Sequence, residues 1–179
     1  MKTKLILFAS KTQNLAKFIS KHYSEGNPII ISPDDNLETV FNGLRSFSKQ
    51  YHLFGMSVGY NKLIPPNIID LFAGRLYNIH PGELPLTAGL YGIKVIHKMI
   101  LSNRVMGKIT IHRVNEVYDE GKIVEEFNFY YLNQNTNLTM LNEQQILSGY
   151  PLEVLSNDYL SMLKMIEPTI VCKFIDSRS

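Results

Sequence analysis

The chain has 179 residues, and its 18 basic against 16 acidic side chains give a formal charge of +2, which suits one domain spanning 1–179 and provides no broad basic field for nucleic acid or an anionic membrane. A single cysteine, Cys172, excludes an intrachain disulfide framework and a thiolate zinc cluster. No apolar run approaches the roughly 20 residues of a membrane helix, and the short apolar stretch after Met1-Lys2-Thr3-Lys4 is no secretion signal, so a cytoplasmic protein is expected.

Leu5 to Ala9 reads as a buried strand and Leu15 to Tyr23 as a helix, the opening of a βαβ unit. The turn between them, Ser10-Lys11-Thr12-Gln13-Asn14, offers backbone N–H groups and a lysine at a helix start, which suits an anion. Pro28 to Ser32 reads as a second strand, and Pro33-Asp34-Asp35-Asn36 as a turn that caps a helix beginning near Leu37. His52 to Gly59 is a third strand, and Pro65-Pro66 starts a helix over Asn67 to Phe72. A strand through Tyr77 ends at Pro81, which has no N–H to donate to a ladder.

The chain then turns through Thr87-Ala88-Gly89 into a helix over Tyr91 to Ser102, with Ile93, Ile96 and Ile100 on one face and His97 toward solvent or a partner. Lys108 to Val114 and Lys122 to Tyr131 alternate as strands. His112 in the former reads as structural, since no second metal ligand pairs with it, and Glu125-Glu126 in the latter as a solvated patch. Asn133 to Asn142 is a polar loop. Leu155 to Ile166 has helical spacing, Glu167-Pro168 ends it, and Thr169 to Ile175 is a last strand or the tail of a helix. The elements make an α/β fold, a mostly parallel twisted sheet with helices on both faces.

Alternation along a strand puts Asn78 and His80 on one side, at a strand end, where an open α/β sheet has its ligand crevice. Asp119 sits in a turn ending at Gly121, from which a carboxylate could orient His80 or hold it protonated.

These residues carry a resemblance. Asn78-Ile79-His80-Pro81 with Leu84-Pro85, then Gly89-Leu90-Tyr91-Gly92, then Thr110-Ile111-His112, then Asn115-Glu116-Val117-Tyr118-Asp119-Glu120-Gly121 stand in the order of the folate-dependent formyltransferase family, closest to its phosphoribosylglycinamide branch. The match runs from Leu53 to Glu126. It implies a Rossmann-like sheet and transfer of a formyl group from 10-formyltetrahydrofolate to a small-molecule primary amine, phosphoribosylglycinamide of purine synthesis first, by a monomer or homodimer without metal. It also implies catalysis by Asn78, His80 and Asp119, folate binding by Lys62, Leu63, Ile64, Asn115, Glu116, Val117 and Tyr118, and amine binding by Ser10, Lys11, Thr12, Gln13, Asn14 and Pro81. By their own pattern, without the resemblance, Leu63 and Ile64 read first as packing under the following helix.

Departures from the family leave alternatives open. The family's N-terminal turn is glycine-rich and holds a phosphate, whereas this one has no glycine to bring its backbone close; it is a phosphate site or a plain strand-to-helix connection. The first half is shorter, as though a strand and helix were missing. Aligned on Pro168, an apolar residue near Leu163 replaces the family's acid in the C-terminal helix. No C-terminal domain for transfer RNA is expected, since the chain stops where the small enzyme stops. The other readings are a formyltransferase for a nucleotide-linked amino sugar and a catalytically inactive folate-binding relative.

Overall fold

The structure is a computed structural model that describes residues 2–10, 14–102, 106–131 and 151–178. Six strands form one sheet in the order β2-β1-β3-β4-β5-β6. They are β1 (Lys2–Phe8), β2 (Ile29–Ile31), β3 (Tyr51–Val58), β4 (Leu76–His80), β5 (Met106–Arg113) and β6 (Ile123–Tyr130). Strands β2, β1, β3 and β4 are mutually parallel, whereas β5 and β6 run antiparallel. The mostly parallel sheet expected from the sequence is therefore present, with a two-strand antiparallel flank.

Period-2 patterning sorts the core into two layers. Leu5 and Leu7 of β1, with Phe54, Met56 and Val58 of β3, face a layer completed by α1 (Asn14–His22), α4 (Ile93–Leu101) and α5 (Leu152–Asp176). Ile6 and Phe8, with Leu53 and Leu76, face the opposite layer, beneath α2 (Leu37–Ser48) and α3 (Pro66–Asp70). Strands buried on both faces read as continuous apolar runs, as Leu5–Ala9 does. The Asn36 side chain accepts the Thr39 N–H at 3.0 Å and caps α2, and Pro66 occupies the first turn of α3.

Three expectations change. The C-terminal helix does not stop at Glu167-Pro168 but runs through it to Asp176. Proline in a helix interior costs about 3 kcal/mol, and the following turns offset this by burying Val171, Phe174 and Ile175 at 0 %, 2 % and 1 % exposure, each worth about 1.5–3 kcal/mol. Phe174 packs edge-on to Tyr77 with ring centroids 4.9 Å apart, and Tyr23 donates to the Cys172 carbonyl. In α4 the buried face is Val95, Ile96, Met99 and Ile100; Ile93, at the first turn beyond the sheet's cover, is exposed. Glu125 and Glu126 are paired, with Arg178 at 2.7 Å and Lys108 at 3.0 Å. His97 is half-buried. The polar loop expected over Asn133 to Asn142 lies outside the described residues. No described helix is long and apolar enough to cross a membrane.

Candidate active site

β4 carries Asn78 and His80 as its third and last residues, so alternation sets both on one side at the carboxyl end of the parallel strands. The antiparallel register places His112 opposite Asn78 and Thr110 opposite His80. The chain after β4 is pinned from two directions. Thr110 Oγ1 donates to the Gly82 carbonyl at 2.7 Å, and the Tyr159 hydroxyl of α5 donates to the Pro81 carbonyl at 3.0 Å.

Asp119 reaches this corner because its loop lies flat on β5. A Cβ at Gly121 would fall 1.6 Å from the Arg113 carbonyl oxygen, so only glycine permits the approach. Asp119 itself has φ of 57°, a left-handed conformation that aspartate adopts more readily than most residues. Its Oδ2 accepts the Gly89 N–H at 3.0 Å, and Oδ1 lies 3.6 Å from His80 Nδ1, 3.4 Å from His112 Nε2 and 3.3 Å from Asn78 Nδ2. One carboxylate thus gathers two imidazoles, an amide and the glycine turn.

Donor and acceptor roles follow from the backbone contacts. His112 Nδ1 lies 3.0 Å from the Arg113 carbonyl, which can only accept, so Nδ1 carries hydrogen and Nε2 accepts from Asn78 Nδ2 at 3.0 Å. His112 therefore sets the orientation of the Asn78 amide, a site role that its reading as a structural residue missed. The Asn78–His112 cross-strand pair is visible only once β4 and β5 are aligned. His80 is buried at 3 % exposure, and its Nε2 lies 2.8 Å from Thr87 Oγ1.

Burial lowers the His80 pKa; the Asp119 carboxylate opposes this without overcoming it, and His112 adds to the lowering. Asp119 thus acts toward the protonated form as expected, but desolvation of the imidazolium outweighs it, so the net shift of His80 is downward. For Asp119, burial acts to raise the pKa, but its two imidazole neighbours, His112 and then His80, and the Gly89 N–H together hold it below the usual carboxylate range.

A cavity of about 1100 Å³ opens from this cluster. Asn78, His80, Pro81 and Asp119 are on its wall. So are Lys62, Leu63 and Ile64 after β3, Asn115, Val117 and Tyr118 after β5, and Asn14 at the start of α1. Ile64 is buried and also packs in the α3 layer, while Leu63 is 47 % exposed at the cavity mouth. Two expected residues are not on the wall. Glu116 is exposed at the corner of a turn in which Asn115 Oδ1 accepts the Val117 N–H at 3.2 Å. Ser10 is half-buried, and Asn14, Leu15 and Phe18 of α1 take the wall instead. Lys11, Thr12 and Gln13 lie outside the described residues.

The wall also holds residues that the sequence reading did not select. α5 places Leu163, Lys164 and Glu167, together with Pro168, on the cavity wall. Leu163 is the apolar residue expected in place of an acid, yet Glu167, one turn on, supplies a carboxylate after all. It has no hydrogen-bond or charged partner among the described residues, and burial pushes its pKa up to about 7. Tyr60 is on the wall as well, and its buried hydroxyl finds no partner among the described residues. No described group of three His, Cys, Asp or Glu side chains is arranged to hold a metal ion.

The sequence model of the formyl transferase family matches residues 38–147. A chloroplastic phosphoribosylglycinamide formyltransferase of Arabidopsis thaliana is 39 % identical over 115 residues, 58 % of this chain and 38 % of the relative. A methionyl-tRNA formyltransferase of Ehrlichia chaffeensis is 28 % identical over 159 residues, 82 % of this chain and 51 % of the relative. The chain thus spans about half or less of the length of these curated relatives. Among solved structures, glycinamide ribonucleotide transformylase 1 from Symbiobacterium toebii superposes with a TM-score of 0.66 at 18 % identity, over 99 % of this chain and 89 % of that one, which shows the shared fold. A family match over more than half of the chain, on the fold and around the Asn78, His80 and Asp119 corner, means that the chain belongs to the formyl transferase family.

Proposed function

We propose that the chain transfers a formyl group from 10-formyltetrahydrofolate to the primary amine of phosphoribosylglycinamide, with Asn78, His80 and Asp119 as its catalytic residues. The observation that carries this reading is the meeting of an amide donor, a buried imidazole and a carboxylate at one end of a single deep cavity. The rest of the cavity suits a folate. Apolar Leu63, Ile64 and Val117 offer faces to a flat heterocycle, and the buried Tyr60 hydroxyl offers a polar atom without a partner among the described residues. When bound, the folate supplies the formyl group on a nitrogen that can depart.

Asn78 Nδ2 spends its hydrogens on His112 Nε2 and, at the longer 3.3 Å, on Asp119 Oδ1. The longer bond is the one it exchanges for the formyl oxygen, where negative charge develops as the amine attacks. A preorganised donor of this kind is worth on the order of 3 kcal/mol. His80 takes the proton from the attacking nitrogen and returns it to the departing one, and Asp119 stabilises the imidazolium between the two transfers. Asn115, Val117, Tyr118 and Lys62 hold the folate, and Asn14, Pro81 and the α5 residues Lys164 and Glu167 face the amine. The cytoplasmic location belongs to this proposal too.

The test measures formyl transfer from 10-formyltetrahydrofolate to glycinamide ribonucleotide by the full chain and by His80→Ala, with a nucleotide-linked amino sugar as a second acceptor. Transfer to the ribonucleotide that falls by at least about 10²-fold in the variant supports the reading. Near-normal turnover by His80→Ala, or folate binding without transfer to any amine, refutes it, and preference for the amino sugar reassigns the acceptor.

A further inference from the structure

Of the two His80 nitrogens, Nε2 points away from the cavity. Its partner, Thr87, is fully buried and is not part of the cavity wall. Nδ1 faces Asp119, which is on the wall. Thr87 Oγ1 lies 2.8 Å from His80 Nε2 and also 2.8 Å from the Glu83 carbonyl oxygen. A hydroxyl has one hydrogen, and a carbonyl oxygen can only accept. Both short contacts are hydrogen bonds together in one arrangement alone: Thr87 donates to Glu83, and His80 Nε2–H donates to Thr87.

We propose that Thr87 is a positioning residue that keeps hydrogen on His80 Nε2, so that Nδ1 is the atom that takes up and releases the proton during formyl transfer. The inference rests on the formyl-transfer reading for its use, but the tautomer is a property of the protein alone. In the neutral state Nδ1 presents a lone pair to the cavity and can accept a proton from an attacking amine. Once protonated, Nδ1–H faces Asp119 Oδ1 at 3.6 Å, and the pair is charged on both sides. Without Thr87 the same carboxylate would favour hydrogen on Nδ1 in the neutral ring, blocking the lone pair that the reaction needs.

The Thr87 pocket is built for this contact. A Cβ at Gly82 would fall 2.6 Å from Thr87 Oγ1 and 2.6 Å from Val95 Cγ1, so the glycine lets the threonine sit against the backbone. The Glu83 carbonyl also accepts the Thr87 N–H at 3.0 Å, closing a turn that fixes the direction of the hydroxyl. The charged and titratable groups facing His80 are Asp119 from the β5–β6 loop and His112 from β5. Burial keeps the neutral ring available, in line with a base.

Long-range ¹H–¹⁵N spectra of the full chain without substrates read the tautomer directly, with His80 assigned by comparison with His80→Gln. The neutral His80 should show a protonated Nε2 and an unprotonated Nδ1, unchanged in Thr87→Ser and shifted toward protonated Nδ1 in Thr87→Val. Formyl transfer should then fall on the order of 10–100-fold in kcat for Thr87→Val with the folate KM little changed, and Thr87→Ser should recover it. A wild-type ring protonated at Nδ1 overturns the proposal whether or not Thr87→Val folds, as does a Thr87→Val protein that keeps both the wild-type tautomer and its rate. Because the spectra need no substrate, loss of the formyl-transfer reading leaves the tautomer result intact, and the two failures are distinguishable.

Discussion

Glu167 ties stability to pH in a way that a single substitution exposes. It is a carboxyl on the cavity wall, held by burial at about 7 instead of the ordinary 4.5. Its pKa is raised on folding, so the folded chain binds the proton more tightly than the unfolded chain between those values. The unfolding free energy therefore falls as pH rises through that window and is flat with respect to this group on either side. At 1.36 kcal/mol for each tenfold change in proton affinity, the interval from 4.5 to about 7 corresponds to about 3 kcal/mol. Glu167→Gln removes the titration while keeping the shape. Urea unfolding of both proteins at several pH values between about 4 and 8.5 gives the measurement. His80, Asp119 and every other titrating group are common to the two, so they cancel in the difference. The wild type should lose about 3 kcal/mol relative to the variant across the window, ending as the less stable protein above pH 7. Parallel stability curves would refute the reasoning, because they would mean that the carboxyl is hydrated or paired in solution.

Two further outcomes follow from the same geometry. Asn78→Ala removes the amide between His112 and Asp119 and should lower kcat for formyl transfer by about 10²–10³-fold with the chain still folded, checked by steady-state kinetics alongside circular dichroism. Pro168→Ala restores an N–H within α5. It should stabilise the chain by about 2 kcal/mol, the propensity gain less the unfolded-state entropy that proline withholds, and the urea midpoint should rise with an unchanged slope.

Much of the corner was legible from local patterns. Period 2 and a proline that ends the strand put Asn78 and His80 on one side, and the resemblance to the family joined Asp119, in its glycine-terminated turn, to them. His112, Thr87 and Glu167 were not legible for three different reasons. His112 joins the site only through the antiparallel register that sets it against Asn78. Thr87 is one threonine in a turn until its hydroxyl is seen between His80 Nε2 and the Glu83 carbonyl. Glu167 stands before a proline, and local rules end the helix there, whereas packing of Val171 and Phe174 carries it on. Glu116 errs in the other direction, since spacing cannot tell which side of a turn a residue occupies.

By itself the sequence determined the α/β alternation, the strand that carries Asn78 and His80, and the proline that ends that strand, because these depend on backbone preferences and on periodicity within a few residues. Tertiary structure decided which nitrogen of His80 faces the cavity, which acid the C-terminal helix contributes, and in which direction burial shifts the imidazole. Those outcomes depend on desolvation and on contacts between residues as far apart as His80 and Asp119 or Asn78 and His112, and such quantities exist only once the strands are side by side.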